Sequence, residues 1–152
     1  MNDELQSTER PMMAADIDRV IELDALSGEQ RRSDFFHKRW QRIQHQPEVY
    51  ISIVSEKQGS VNGFLSAHVL EGEFGSNQRI AVLDALAVAP GDQGSGTGTV
   101  LVDAFKREAH TRKCVEILTQ VVWEQQDLLA FFSHCGFTLA PVSVLEKQNP
   151  DH

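Results

Sequence analysis

The chain has little cysteine, a deficit of basic charge and no long apolar run. Its 152 residues include two cysteines, Cys114 and Cys135. They form neither a metal-ligand spacing nor a disulfide framework. Two free thiols suit a reducing cytoplasm, which is the expected location, and both are read as buried filler rather than as nucleophiles. No metal site is expected. Lys and Arg number 14 against 22 Asp and Glu, for a net charge of −8. Phosphate neutralisation needs basic surface, so this balance argues against nucleic acid as a partner. It suits solubility, and it is compatible with a cationic or amine substrate. No apolar stretch reaches the length of a membrane span, so no membrane partner is expected. The opening "MNDELQSTER" is polar and acidic. It lacks the basic and apolar regions of a secretory signal. There is no internal repeat and no long linker, and residues 1–152 read as a single domain large enough for a core and a ligand cleft.

Periodicity orders the elements. "TERPMM" (8–13) reads as a short first strand. In "AADIDRVIELDAL", Ile17, Val20, Ile21 and Leu26 are mostly spaced for one helical face. "SDFFHKRWQRIQ" reads as a second helix, with Ser33 at its start, Phe36, Trp40 and Ile43 on one face, and Pro47 beyond its end. "VYISIVS" (49–55) and "VNGFLSAHVLEG" (61–72), joined by "EKQGS", predict a β-hairpin. "IAVLDALAV" (80–88) is nearly continuous apolar, which predicts a central strand covered on both faces. A helix over "GTGTVLVDAFKREAH", a strand within "CVEILTQVVW" (114–123) and a short helix over "DLLAFFSHC" follow. "FTLAPVSVLEK" predicts two short strands interrupted at Pro141. The order is β-α-α-β-β-β-α-β-α-β(β), an α/β protein of the α+β type with six to seven strands and about four helices. A doubly wound dinucleotide fold would alternate strand and helix throughout, and this order does not.

Between the central strand and the following helix lies "VAPGDQGSGTGT" (88–99). A helix start leaves backbone N–H groups unpaired and carries partial positive charge. Glycines let that backbone approach an anion without side-chain obstruction. The turn is therefore suited to phosphate or pyrophosphate, with the amides of Gly94, Gly96 and Gly98 as a nest. No Lys follows the glycines, which excludes a P-loop. The dinucleotide pattern also fails, because its third position, counted from Gly94, is Thr99. No basic side chain stands between Val88 and Asp103, so backbone amides must hold the phosphates.

"VAPGDQGSGTG" resembles motif A of the GNAT superfamily of acyl-CoA-dependent N-acyltransferases, V-x-P-x-x-[QR]-x-x-G-x-[GA]. Val88, Pro90, Gln93, Gly96 and Gly98 match in register. "WEQQDLLAFFSHCGF" (123–137) resembles motif B at Phe131, Gly136 and Phe137, and "RPMMAADIDRVIEL" is similar to the family's first strand and helix. The resemblance spans nearly the whole chain. It implies a mixed, mostly antiparallel sheet that splays between strands 4 and 5, where acetyl-CoA inserts its pantetheine arm. It further implies that backbone groups around Leu86, Ala87 and Val88 pair with pantetheine. Gln93, Gly94, Ser95, Gly96, Thr97, Gly98 and Thr99 would surround the pyrophosphate. Gln125 stands where the family commonly has a cofactor-contacting Asn.

The reaction so implied is direct acetyl transfer to a primary amine of a small molecule or peptide. It needs a base to free the amine lone pair and a donor to stabilise the oxyanion. Asp84 is the candidate base: it interrupts an apolar strand, where an unpaired carboxylate is expensive, and it stands four residues before Val88, where many family members carry a catalytic acid. The alternative is a structural carboxylate held by hydrogen bonds. Glu71, Glu73 and His68 are reserves, with His68 more readily a packed strand histidine. Arg31 and Arg32 begin the segment between the first two helices, which varies with substrate in the family. Arg32 with Glu71 and Glu73 forms the candidate acceptor site, since an Arg fork suits a substrate carboxylate. The family's usual acid, a Tyr in motif B, is Phe132 here, which cannot donate a proton. Ser133 or Cys135 would be the substitute donor. Phe132 also keeps a second function in view, a non-catalytic acyl-CoA binding or sensing module. The C-terminal strands offer an edge for a homodimer.

Overall fold

The computed structural model describes residues 6–28, 31–72, 77–122 and 124–150. The chain forms two units, Met1–Gln120 and Val121–His152. The first holds, in order, β1 (Thr8–Pro11), α1 (Ile17–Ser27), α2 (Ser33–His45), β2 (Tyr50–Lys57), β3 (Ser60–Glu71), β4 (Arg79–Val88), α3 (Thr97–Thr111) and β5 (Cys114–Thr119). The second holds α4 (Gln126–His134).

The five strands lie side by side in chain order. β1 to β4 pair antiparallel. β4 and β5 pair parallel, which requires a crossover connection, and α3 supplies it. Cross-strand partners share a sheet face. One face therefore carries Val54, Phe64 and Ala87 in one row and Ser52, Ser66 and Ala85 in the next. α1 packs on this face through Ile17, Val20, Ile21 and Leu23, in one buried cluster with Val54, Phe64, Ala85 and Ala87. Phe36 of α2 joins it, edge-on to Phe64 at 5.5 Å between ring centres. α3 packs against β2 and β3 and buries Leu101, Val102 and Phe105 completely.

Two irregularities in the ladders shape the site. Between β3 and β4, Ser66 pairs with Ala85 while Ala67 pairs with Leu83, so Asp84 is an extra residue with no partner across the strand. Such a bulge bends the strand and re-aims a side chain. It also reverses the alternation. Ala85 and Ala87 join the α1 cluster, whereas Leu83, two residues before Ala85, shares a face with Ala67. Between β2 and β3 the register steps again, and Asn62 is the extra residue.

The expected splay is present. The β4–β5 ladder ends at Leu83 and Thr119, where the Thr119 hydroxyl donates to the Leu83 carbonyl at 3.2 Å. β4 continues to Val88, so along Asp84–Val88 its β5 side has no strand partner among the described residues. β4 is not covered on both faces as its apolar run predicts: Ala85 and Ala87 are buried, but Leu86 and Val88 are half-buried, as are Ile80 and Val82.

The expected count of six to seven strands is corrected to five among the described residues. Residues 137–149 carry no strand. Leu139, Val142, Val144 and Leu145 are the apolar residues of the two expected strands, yet all four are exposed. Strand preference largely reflects packing on neighbours, and these side chains are left to solvent. Pro141 further removes a ladder donor.

Candidate active site

Val88 leads through a short helical turn, Pro90–Asp92, into the glycine run. Gly94 and Gly96 take φ of +82° and +94°, the left-handed region that glycine enters without penalty. Gly96 is the residue that caps α3, and among the described residues no side-chain cap bonds the helix's first N–H groups. Val100 N–H donates to the Gly96 carbonyl at 3.0 Å, which starts the helix ladder. Ser95 N–H already donates to the Asp92 carbonyl at 3.3 Å; the amides of Thr97, Gly98 and Thr99 in the first turn are the ones a helix start leaves for an anion. Residues Gln93 to Gly96 are exposed, and Gln93 turns its amide back to the Val88 carbonyl at 3.2 Å.

The turn is fixed by a polar chain from the interior. The buried Ser55 hydroxyl donates to Asn62 at 2.7 Å, and Asn62 donates to Ser7 at 3.0 Å. The Ser7 and Thr97 hydroxyls are 2.8 Å apart. The Asn62 carbonyl accepts Ala89 N–H at 2.8 Å. The residue bulged out of β3 thus holds both ends of the anion turn. Lys57 reaches Asp92 at 3.0 Å; with help from Asn62 it holds the Asp92 carboxyl below the usual carboxylate range. That ion pair offsets the one acidic side chain beside the turn, which would otherwise repel a phosphate. Lys57 lies far from the turn in sequence, and its charge is taken up by Asp92.

The second half of the site lies on the α1–α2 face of the sheet. Tyr50, His68 and Val82 form one cross-strand row beside Ser52, Ser66 and Ala85. Asp84, turned out by the bulge, receives two donors on one oxygen. His68 Nδ1 lies 2.7 Å from Asp84 Oδ2, and Arg39 donates to the same atom at 3.1 Å. Arg39 also donates to Ser66 at 3.0 Å. Its guanidinium stacks over Phe35 and Tyr50 at 5.1 and 4.8 Å. The Ser52 hydroxyl, opposite Ser66, is buried without a hydrogen-bond partner among the described residues. Asp84 and His68 keep 20% and 25% of their side chains exposed, so both remain reachable.

Other candidates fare differently. Arg32 places its fork on Asp24, at 2.9 and 2.7 Å, with its guanidinium over Phe35 and Phe36. Two of its nitrogens, Nε and Nη2, are thus engaged within the protein. Glu71 is exposed at the end of β3, opposite Arg79. Glu73 lies outside the described residues. Gln125 is exposed just before α4. Phe132 is buried and packs on Phe137 at 5.1 Å. Burial pushes the Cys114 thiol up, against a weaker pull from Arg79 and Arg112; a protonated thiol is a poor nucleophile. Arg39 was not among the expected site residues. Its signal in the sequence is only an Arg placed near the Phe36 and Trp40 face of an amphipathic helix.

The family model for the acetyltransferase (GNAT) family matches residues 17–137. The chain belongs to the GNAT acetyltransferase family. No curated protein matches its sequence. Solved structures share the fold at low identity. A transcriptional regulator from Bacillus halodurans C-125 superposes with a TM-score of 0.81 at 18% identity, over 95% of this chain and 100% of that one. The aminoglycoside acetyltransferase AAC(6')-Iy, in complex with the bisubstrate analogue CoA-S-monomethyl-acetylneamine, gives 0.79 at 17% identity, over 95% and 99%. Glucosamine-6-phosphate N-acetyltransferase from Arabidopsis thaliana gives 0.73 at 14% identity, over 95% and 99%.

Proposed function

We propose that this protein is an N-acetyltransferase that moves an acetyl group from acetyl-CoA directly to a primary amine of a small molecule or peptide, with the whole chain serving as one catalytic domain in the cytoplasm. The observation that carries the reading is the unpaired β4 edge, Asp84–Val88, opening beside the uncapped N-terminus of α3. A pyrophosphate on the amides of Gly94 to Thr99 leaves the pantetheine arm to run along that edge. There the backbone groups of Leu86 and Val88 offer strand-like hydrogen bonds. The acetyl group then approaches the end of the β4–β5 ladder, where Asp84 sits.

The amine nitrogen forms the N–C bond, the C–S bond breaks, and CoA leaves as its thiol after taking a proton. An ammonium group cannot attack, so its proton must first be removed. Asp84 is part of the group that receives it. Family membership and the neighbours named for acetylation of amino sugars and aminoglycosides support this reading.

The test is release of free CoA thiol from acetyl-CoA with a panel of primary amines, kanamycin and glucosamine 6-phosphate included. The expected result is amine-dependent release, reduced about 100-fold or more in Asp84→Asn. Full activity of that variant would remove Asp84 from the mechanism. Phe132 in place of the family's Tyr favours one rival, a non-catalytic acyl-CoA module. That rival predicts binding of acetyl-CoA without amine-dependent release.

A further inference from the structure

We infer that the His68 imidazole is the base that faces the acceptor amine, and that Asp84 and Arg39 are its positioning residues. This rests on the acetyltransferase reading and assigns the proton-accepting atom within it.

The assignment follows from what each group can donate. An ionised carboxylate only accepts hydrogen bonds. Asp84 Oδ2 lies 2.7 Å from His68 Nδ1, so Nδ1 must carry the ring proton when the imidazole is neutral. The lone pair is then on Nε2, which has no partner among the described residues. Arg39 donates to that same Oδ2 at 3.1 Å. One carboxylate oxygen thus already holds a guanidinium and an imidazole. Its geometry is that of an orienting group rather than of a base awaiting a substrate.

The surroundings keep the pair in place. Arg39 is nearly buried, with 11% of its side chain exposed. Phe35 and Tyr50 flank its guanidinium, and Ser66 takes another of its bonds. His68 lies across β3 from Tyr50 and across from Val82 on the other side, one row from the end of the β4–β5 ladder at Leu83. The bulge is what lets this pair form. Asp84 is the residue left without a cross-strand partner, so its carboxylate can turn along the sheet to the row of His68.

The step balances. Nε2 takes one proton from the acceptor ammonium, and the freed lone pair forms the N–C bond as the C–S bond breaks. The thiolate leaves with the second proton of the new amide nitrogen. The imidazolium returns its proton to solvent.

The test needs no acceptor. Bromoacetyl-CoA presents an electrophilic carbon where the acetyl group would lie; attack by Nε2 forms a C–N bond and expels bromide. Peptide mapping by mass spectrometry is expected to place the adduct on His68. His68→Gln should abolish it while binding acetyl-CoA as the wild type does in calorimetry. Asp84→Asn should slow it at least about tenfold, because an amide can donate to Nδ1 and move the ring proton to Nε2. Long-range proton–nitrogen spectra should report Nδ1–H in the wild type and a loss of that preference in Asp84→Asn. An adduct confined to the cysteines, or an Nε2–H ring in the wild type, overturns the inference and leaves the acetyltransferase reading standing. Failure to bind acetyl-CoA overturns both.

Discussion

Asp84 shows how much of a site a single residue can announce. An acid within "IAVLDALAV" is costly unless it is paired, so the sequence alone marks it for a special role. Its partners are another matter. Arg39 comes from α2 and His68 from β3, and their meeting depends on a one-residue register step that no spacing in the sequence encodes. Arg32 fails in the converse way: an exposed-looking arginine reads as a substrate fork until Asp24, one helix earlier, is seen to occupy it. Asp16 follows the same logic as a structural pair. Arg10 donates to both its oxygens, at 2.8 and 2.9 Å, and with the Met13 N–H holds its carboxyl below the ordinary value of 3.8. A folded value lower than the unfolded one gives stability that is fully present above about pH 4. That stability is lost as pH falls through the folded value. Urea midpoints measured from pH 7 downward should therefore fall in acid, and Asp16→Asn should show a shallower fall with a lower plateau near neutral pH. An unchanged acid limb in that variant would contradict the pairing.

The elements divide by whether their partners are local. α1, α2, α3 and the β2–β3 hairpin follow from periodicity and turn chemistry, and the sequence locates each to within a few residues. The C-terminal strands do not form: an apolar pattern is not enough without a strand to pair with, and among the described residues 137–149 enter no ladder. The anion turn is legible as glycine spacing, yet its anchoring is not. That work falls to Asn62, bulged from β3, and it constrains Gly63 beside it. A Cβ on Gly63 would come within 2.6 Å of the Ser55 hydroxyl and 3.1 Å of the Ala87 carbonyl. Ser55 is fully buried and bonded to Asn62, so neither atom has room to yield. Gly63→Ala is expected to destabilise the protein by about 1–3 kcal/mol through overpacking. Because Ser55 holds Asn62, and Asn62 holds Ala89, the same change should also weaken acetyl-CoA binding. A thermal melt equal to the wild type's would contradict this packing.

At the scale of the whole molecule, the sheet opens where β4 and β5 part. The ladder between β4 and β5 stops at Leu83, β4 runs on to Val88 paired with β3 alone among the described residues, and the chain then turns through glycines into α3. Strand edge and anion site are consecutive in sequence, which is why the turn could be recognised before the splay was seen. The Asp84–His68–Arg39 cluster, by contrast, is assembled from α2, β3 and β4, and it emerges only from the fold. The central claim is that this opening holds acetyl-CoA. Isothermal titration of the protein with acetyl-CoA, with ATP and NAD as controls, tests it most directly, alongside Gly96→Val. A β-branched residue at φ +94° is strained whatever space surrounds it. Saturable binding of acetyl-CoA in preference to both controls, lost in a Gly96→Val protein that still folds, is the predicted result. Absence of acetyl-CoA binding by the wild type, or equal binding by the folded variant, would contradict the account.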